Sequence, residues 1–224
     1  MRRSEIDNRL KTAAELCREG RIAADVGCDH AQLACWLAQN KSRLVIASDV
    51  RDGPLEAARR TVAEQDVTNV KVIKSDGLKE IDFADDVIIC GMGGELIAEI
   101  IDGCRFLSED TRFILQPMTK PEFLRHWLYA NGFEIIEERA AFERNGSAER
   151  AYSVIYARYT GERREIDEIF ALTGKIADGG YLRKIAEKLL KNAAGMSASE
   201  SCSKQAAHLR ENAAQILKMA EEHK

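Results

Sequence analysis

The stretch ADVGCDHAQLACWL, residues 24–37, decides the fold because it joins the end of an apolar run to the start of an apolar helix. The run RIAADV (21–26) carries an acid at Asp25, and a glycine follows at Gly27. Glycine allows a tight turn and a close approach of the backbone to another group. Apolar side chains at helical spacing follow, and they predict a helix over residues 31–40. The stretch therefore predicts one strand–turn–helix unit of an α/β sheet.

The same unit is repeated along the chain. Four further β-rich runs lie at residues 43–50, 70–76, 86–91 and 111–117, and helical patterns occupy residues 54–65, 95–104 and 120–132. Only a short connection, near residues 79–85, separates the third run from the fourth. The runs are almost wholly apolar, as expected of strands that are covered on both faces. This alternation predicts an α/β fold with a doubly wound parallel sheet.

Two later strands have a different pattern. Residues 133–143 and 150–159 are joined by RNGSAE, and its Asn145-Gly146 dipeptide favours a tight turn and an antiparallel hairpin. A parallel sheet that ends in such a hairpin is the plan of the class I methyltransferases, whereas ordinary dinucleotide-binding Rossmann domains lack the hairpin. We therefore predict a class I methyltransferase Rossmann-like sheet over residues 1–159.

Residues 160–224 form a second predicted domain, which is helical. Six residues step by 4, 3, 4, 3 and 4 in a heptad pattern: Cys202, Ala206, Leu209, Ala213, Ile216 and Ala220. Leu182, Ile185, Leu189 and Met196 fit a similar frame with Asn192 at a core position, and GMSASES (195–201) reads as a loop. The pattern predicts a coiled-coil hairpin. It is either a packing or dimerisation arm or a substrate clamp, and its 11 basic and 10 acidic residues favour neither.

Composition excludes some classes of protein. With 33 basic and 37 acidic residues, the formal net charge of −4 excludes nucleic-acid binding by bulk charge, although a local basic patch is allowed. The six cysteines form no CxxC pair and match no zinc-site spacing, so we expect no metal and a reducing, cytoplasmic location. The first 16 residues lack an apolar core, and no apolar run approaches 18 residues. We therefore expect neither a signal peptide nor a membrane span.

The first four runs each end in acids or glycines, at the sheet edge where this fold binds ligands. Asp25 could hold the ammonium group of the methionine part of S-adenosylmethionine, and Asp49 could accept both ribose hydroxyls. Asp76, followed by glycine, could bind the adenine amino group. Because glycine has no side chain, the backbone of the GMGG segment (91–94) could approach the transferable methyl group closely.

The rival cofactor is NAD, which also needs an acid for its ribose. Residues 27–32 read GCDHAQ, without the second and third glycines that cradle a pyrophosphate, and Asp29 would repel phosphate. We therefore predict S-adenosylmethionine. The predicted contacts are Asp25, Gly27, Cys28, Asp49, Val50, Asp76, Gly77, Gly91, Met92 and Gly93.

Asp29 and His30 are the candidate catalytic residues. Asp29 either caps the following helix, contacts the cofactor or acts on the substrate. His30 either orients and packs the loop or stacks on and hydrogen-bonds the cofactor or substrate. His126 and Trp127 lie in an amphipathic helix and are expected to be packing residues.

Several of these motifs together resemble the TrmK family of bacterial tRNA (adenine-22-N1)-methyltransferases. The resemblance covers nearly all of residues 1–159 and rests on DVGCDHAQLA, SDVRDGPLEAA, SDGL, ICGMGGELI, FILQPM and RHWLYANGFEIIEE. The C-terminal helices also agree with the family plan. Cys28 and Met118 depart from the pattern, at positions where a small hydroxyl residue and asparagine are usual.

The resemblance implies methyl transfer from S-adenosylmethionine to N1 of an adenine in the D-arm region of tRNA. The chain lacks (D/N/S)PP(Y/F) after the fourth run, and GMGG stands in its place, which favours attack by a ring nitrogen over an exocyclic amine. A basic N-terminal segment that includes Arg2, Arg3 and Arg9 is either a tRNA phosphate contact or a solvated helix face.

Two alternatives stay open at this point. One is a class I methyltransferase that acts on another RNA position or on a small molecule. The other is a non-catalytic RNA-binding protein with the same fold, against which the intact acids and glycines argue. The sequence does not fix the oligomeric state, and a monomer is favoured over a homodimer.

Overall fold

The computed structural model describes residues 6–146, 148–196 and 200–223, except for the side chains of residues 145, 148 and 200–202. The strands of this part of the chain form one seven-stranded sheet in the order β3-β2-β1-β4-β5-β7-β6. They are β1 (Ile22–Val26), β2 (Leu44–Asp49), β3 (Val70–Lys74), β4 (Asp86–Gly93), β5 (Arg112–Thr119), β6 (Phe133–Asn145) and β7 (Ala148–Tyr159). Strands β1–β5 are parallel, whereas β7 pairs antiparallel with both β5 and β6. The predicted sheet and terminal hairpin are confirmed.

Helices cover both faces of the sheet. They are α1 (Asn8–Leu16), α2 (Gln32–Asn40), α3 (Asp52–Glu64), α4 (Gly94–Asp102) and α5 (Pro121–Ala130). Successive strand residues point to opposite faces, so Ala23 packs with α1–α3 and Ala24 packs with α4 and α5. This two-sided burial explains why the central strands β1, β2 and the first half of β4 are almost wholly apolar, whereas the edge strand β3 carries the exposed Lys71 and Lys74. Within the described residues, no helix has both the length and the apolar character needed to cross a bilayer.

The chain reverses its direction of travel across the sheet at β1. Strand β1 pairs with β2 on one side and with β4 on the other, both in parallel. The connections on either side of β1 lead away from each other and leave a crevice at the carboxyl ends of β1 and β4. Ligand sites in open α/β sheets lie at such a point, so the fold places the GCDH and GMGG segments where a cofactor would bind.

The C-terminal helices are α6 (Glu168–Thr173), α7 (Gly179–Ala194) and α8 (Glu200–Glu222), and α7 packs along α8 as predicted. The predicted core frame of α7 was wrong at Asn192, which is exposed. Leu182 and Leu189 are buried as predicted, Ile185 and Met196 are only partly buried, and Ala186 and Ala193 are buried in addition. On α8, Ala206, Ala213, Ile216 and Ala220 are buried as predicted, and the side chain of Cys202 lies outside the described residues.

Candidate active site

Two adjoining cavities lie at the carboxyl ends of β1–β4. The first has a volume of about 420 Å³ and the second about 320 Å³. Both are lined by Gly27, Asp49, Arg51 and Met92. Asp25, Cys28, Asp29, His30 and Gly91 line the first cavity, and Val50, Asp76 and Gly77 line the second. The topology therefore brings together nine of the ten predicted cofactor contacts and both candidate catalytic residues.

Asp25 carries a buried carboxylate in the wall of the first cavity. Its Oδ2 has no hydrogen-bond partner among the described protein atoms, although the residue is only 3% exposed. Chiefly because of burial, the pKa of Asp25 is raised to about 7; a hydrogen bond from the Ala34 backbone opposes the rise and the nearby Asp49 charge adds to it. A buried acceptor without a partner is costly, so this oxygen is ready to accept a hydrogen bond from a cationic ligand.

Asp49 ends β2 between the two cavities and is 6% exposed. Its Oδ1 accepts a hydrogen bond from the Arg51 backbone N–H at 2.9 Å, which fixes the carboxylate at the strand end. Asp76, by contrast, lies at the open edge of the second cavity and forms an ion pair with Lys79. The two acids therefore offer one fixed acceptor group and one solvent-exposed group to the same ligand.

The glycines of the site have different structural roles. Gly27 has φ +75°, and a Cβ there would lie 2.1 Å from Met92 Cε, so glycine allows the Met92 side chain to lie over the turn. Gly91 has φ +81°, a conformation that L side chains rarely adopt. Gly93 borders neither cavity and pairs with Thr119 at the end of β5. The predicted contact that lies outside the cavities is therefore Gly93.

Asp29 and His30 lie at the mouth of the first cavity, and both side chains are mostly exposed. His30 Nε2 is 3.6 Å from Asp29 Oδ2. The interpretation of Asp29 as the N-cap is wrong, because the N-cap of α2 is Ala31, which makes no side-chain hydrogen bond. Asp29 and Ala31 have φ of 48° and 54°, which is uncommon for residues other than glycine. Such strain is characteristic of functional loops.

Sequence reasoning missed Gln116, a fully buried amide on β5. Its Oε1 accepts hydrogen bonds from the Gly91 N–H at 3.1 Å and from Arg9 Nη1 at 2.7 Å. Arg9 Nη2 also donates to Asp7 Oδ2 at 2.8 Å, and Arg9 lines the first cavity. The signal in the sequence was a glutamine between apolar residues, FIL on one side and PM on the other, since a buried amide needs hydrogen-bond partners.

The remaining predicted residues have varied placements. Arg2 and Arg3 lie outside the described residues. Trp127 packs on Phe133 with ring centroids 5.8 Å apart, as expected, whereas the expectation that His126 packs was wrong because it is exposed. The inward-facing polar residue of that helix is instead its neighbour Arg125.

Residues 6–155 match a family model described as a methyltransferase domain. A curated relative, the tRNA (adenine(22)-N(1))-methyltransferase of Bacillus subtilis, is 34% identical over 189 residues, which cover 82% of this chain and 77% of the relative. The crystal structure of the B. subtilis m1A22 tRNA methyltransferase TrmK is 27% identical, has a TM-score of 0.76 and covers 98% of this chain and 99% of its own. The chain belongs to the TrmK family.

A second structure with the TrmK fold carries a ligand. The Streptococcus pneumoniae protein Sp1610, in complex with S-adenosyl-L-methionine, is 25% identical to this chain with a TM-score of 0.79. The match covers 95% of this chain and 100% of the S. pneumoniae chain. The likeness to members of the TrmK family thus includes the C-terminal helices as well as the sheet.

Proposed function

We propose that this chain transfers a methyl group from S-adenosylmethionine to N1 of adenine 22 of tRNA. The observation that carries the proposal is the unpartnered, buried carboxylate oxygen of Asp25 in a cavity at the switch point of a TrmK-family sheet. The B. subtilis relative is named for this reaction, and the S. pneumoniae structure holds S-adenosyl-L-methionine. The first cavity supports the cofactor on chemical grounds as well.

The first cavity presents opposite charges to a zwitterion. Asp25 supplies a carboxylate for an ammonium group, and Arg9 supplies a guanidinium for a carboxylate. Arg9 is held in place by Gln116 and Asp7, and its side chain is 19% exposed. This placement favours a contact with the amino-acid end of the cofactor over the tRNA phosphate contact expected for Arg9.

The second cavity suits a nucleoside. Asp49 lies at its junction with the first cavity, where a carboxylate would accept the two ribose hydroxyls. Val50, Leu96 and Ile100 provide apolar surface for a flat base, and Asp76 with Gly77 provides polar groups for its edge. Together the two cavities fit both ends of S-adenosylmethionine, with Gly27 and Met92 between them.

When bound, S-adenosylmethionine supplies an electrophilic methyl group on a sulfonium. N1 of neutral adenine has an in-plane lone pair, so no proton has to leave before it attacks the methyl carbon. The methylated base is cationic until a proton is lost from N6. The site therefore has to align the base, exclude water and stabilise positive charge. Asp29 and His30, at the mouth of the first cavity, are the proposed residues for that charge and for orienting the base.

The tRNA also needs a surface beyond the site, because the adenine edge has to be exposed from its paired or stacked state. Helix α7 has four basic residues against one acid, whereas α8 has three basic residues against four acids. Lys184, Lys188 and Lys191 lie at i, i+4 and i+7 on α7 and share a face. We assign this α7 lysine face to tRNA phosphates, in support of the clamp alternative, and Arg2 and Arg3 stay predicted contacts.

Labelled S-adenosylmethionine and unmodified tRNA test the proposal. After incubation with the protein, the tRNA is digested and its nucleosides are identified by mass spectrometry. Label in 1-methyladenosine is the expected result. Label in another nucleoside would assign the enzyme to a different RNA position, and binding of cofactor and tRNA without transfer would indicate a non-catalytic protein. A cytoplasmic location and a monomeric state are part of the proposal.

A further inference from the structure

Arg125, on α5 of the sheet domain, is fully buried beneath the C-terminal helices. Its Nε donates to Glu138 Oε1 on β6 at 3.0 Å. Nη1 donates to the backbone carbonyls of Ala171 at 2.7 Å and Leu172 at 3.2 Å, near the C-terminal end of α6. Nη2 donates to the Tyr181 hydroxyl on α7 at 3.2 Å. One guanidinium therefore connects the sheet domain to both α6 and α7.

Glu138 completes the connection from the other side. Its side chain is 0% exposed, and Oε2 accepts a hydrogen bond from the Lys175 backbone N–H at 2.7 Å. The chain passes so close at Gly174 that a Cβ there would lie 1.9 Å from Glu138 Oε2 and 2.6 Å from Arg125 Nε. Gly174 has φ +64° and ψ −147°, a region that is open almost only to glycine. Both the side chains and the backbone of the α6–α7 connection are thus fitted to this ion pair.

A gain in folding stability does not by itself explain why this ion pair is buried. Desolvating two charges costs several kcal/mol per ion, and apolar residues of similar volume in place of a buried pair are often neutral or stabilising. Directional hydrogen bonds, however, fix an orientation that apolar contacts leave adjustable. The apolar contacts between these helices and the hairpin strands come from small or flat groups, such as Ala140, Phe142 and Ala151. An apolar surface of this kind holds the helices against the sheet but specifies their angle weakly.

We propose that Arg125 and Glu138 are positioning residues that set the orientation of the α7–α8 pair relative to the active site for tRNA methylation. This inference rests on the proposed function, because it assigns the α7 lysine face to the same tRNA as the cavity. The ion pair lies outside the residues that line the two cofactor cavities. Its removal should therefore change tRNA recognition and leave cofactor binding intact.

The test variant is Arg125→Met combined with Glu138→Leu, which removes both charges and keeps the volume filled. The matched control is Arg158→Met with Glu134→Leu, a solvent-accessible ion pair at 2.8 Å between β7 and β6, in which Arg158 donates its side-chain hydrogen bonds to Glu134 and not to the C-terminal helices. S-adenosylhomocysteine affinity is measured by calorimetry, and KM and kcat are measured with tRNA. We expect the double variant to raise the tRNA KM at least tenfold, with kcat and the Kd of S-adenosylhomocysteine within twofold of wild type.

A second readout does not depend on activity. Spin-label amino acids at Arg59 on α3 and Glu211 on α8, both exposed, report the distance between sheet domain and helices. We expect one narrow distance distribution in wild type and in the control, and a broadened one in Arg125→Met/Glu138→Leu. An unchanged distribution, or a parallel rise in the tRNA KM and the S-adenosylhomocysteine Kd, would overturn the inference. If wild type methylates no tRNA, the proposed function fails while the distance measurement still decides whether the pair orients the helices.

Discussion

The protonation of Asp25 makes cofactor affinity depend on pH. Burial raises the pKa of Asp25 to about 7, so the ligand-free protein keeps a proton there that an ordinary carboxylate would have lost. An ammonium ligand pairs only with the ionised carboxylate, and binding in acid must therefore expel this proton. The affinity of the protein for S-adenosylhomocysteine should consequently rise as the pH rises towards 7. The free protein, in turn, loses stability from this group as the pH rises through about 7.

The size of the effect follows from the pKa. With a value of about 7, the ionised fraction is about 3% at pH 5.5 and about 50% at pH 7, a change of about 16-fold. The ligand's amino group stays largely protonated over this range, since α-amino groups titrate near 8. We therefore expect the Kd of S-adenosylhomocysteine to fall about 16-fold between pH 5.5 and pH 7. Binding should release about one proton at pH 5.5 and about half a proton at pH 7.

Calorimetry in buffers of different ionisation enthalpy measures the Kd and the released protons together. Asp25→Asn, which cannot ionise, should bind more weakly with little pH dependence. His30→Gln is the matched control, because His30 is another ionisable side chain that lines the same cavity. If wild type shows a flat Kd and no proton release, Asp25 does not bind the ammonium group. If His30→Gln alone removes the dependence, the titrating group is His30.

Four further predictions concern named residues. Arg9→Met should raise the Kd of S-adenosylhomocysteine about 10- to 100-fold, because a hydrogen bond to a charged group is lost. Binding of 5′-methylthioadenosine, which lacks the amino-acid end, should be unchanged. An equal loss of affinity for both ligands would show that Arg9 does not contact the carboxylate of the cofactor. Asp29→Asn tolerates the positive φ and should lower kcat about 100-fold while the cofactor Kd holds, whereas a parallel loss would make Asp29 a cofactor or structural residue. Replacing Lys184, Lys188 and Lys191 by Gln should reduce the slope of log K for tRNA binding against log salt concentration by about 2. The control Lys218→Gln on α8 should leave this slope unchanged. An unchanged slope in the triple variant would exclude the α7 lysine face from the tRNA contact. Gly174→Ala should lower the free energy of unfolding, measured in urea, by about 3 kcal/mol or more. Gly20→Ala is the control, because Gly20 also has a positive φ but a Cβ there would not clash. A loss in Gly174→Ala no larger than the loss in the control would show that the Arg125–Glu138 ion pair moves easily to make room for the Cβ.

Local sequence signals were sufficient for the sheet and for most of the cavity. Asp25, Asp49 and Asp76 each follow or end an apolar run, and parallel strands bring their carboxyl ends to one edge. The hairpin was signalled by Asn145-Gly146 and by the long β-rich runs beside it. These features depend on residues that are near neighbours in the chain, which is why a single sequence revealed them.

Contacts between distant residues could not be predicted in this way. Arg9 reaches Gln116 across 107 positions, and Arg125 reaches Tyr181 across 56. Helical periodicity marked His126 and Trp127 as packing candidates, whereas the fold turns the arginine of that helix inward because Glu138 and the end of α6 supply its partners. Burial of a charge depends on tertiary partners, and no periodic pattern encodes it.

The most direct test of the proposed reaction compares two transcripts of one tRNA that differ only at position 22. With labelled S-adenosylmethionine, the transcript with adenine at this position should accept about one methyl group per molecule, recovered as 1-methyladenosine. The transcript with guanine at position 22 should accept none. Equal labelling of both transcripts, or label in any nucleoside other than 1-methyladenosine, would contradict the assignment of this chain to N1 of adenine 22.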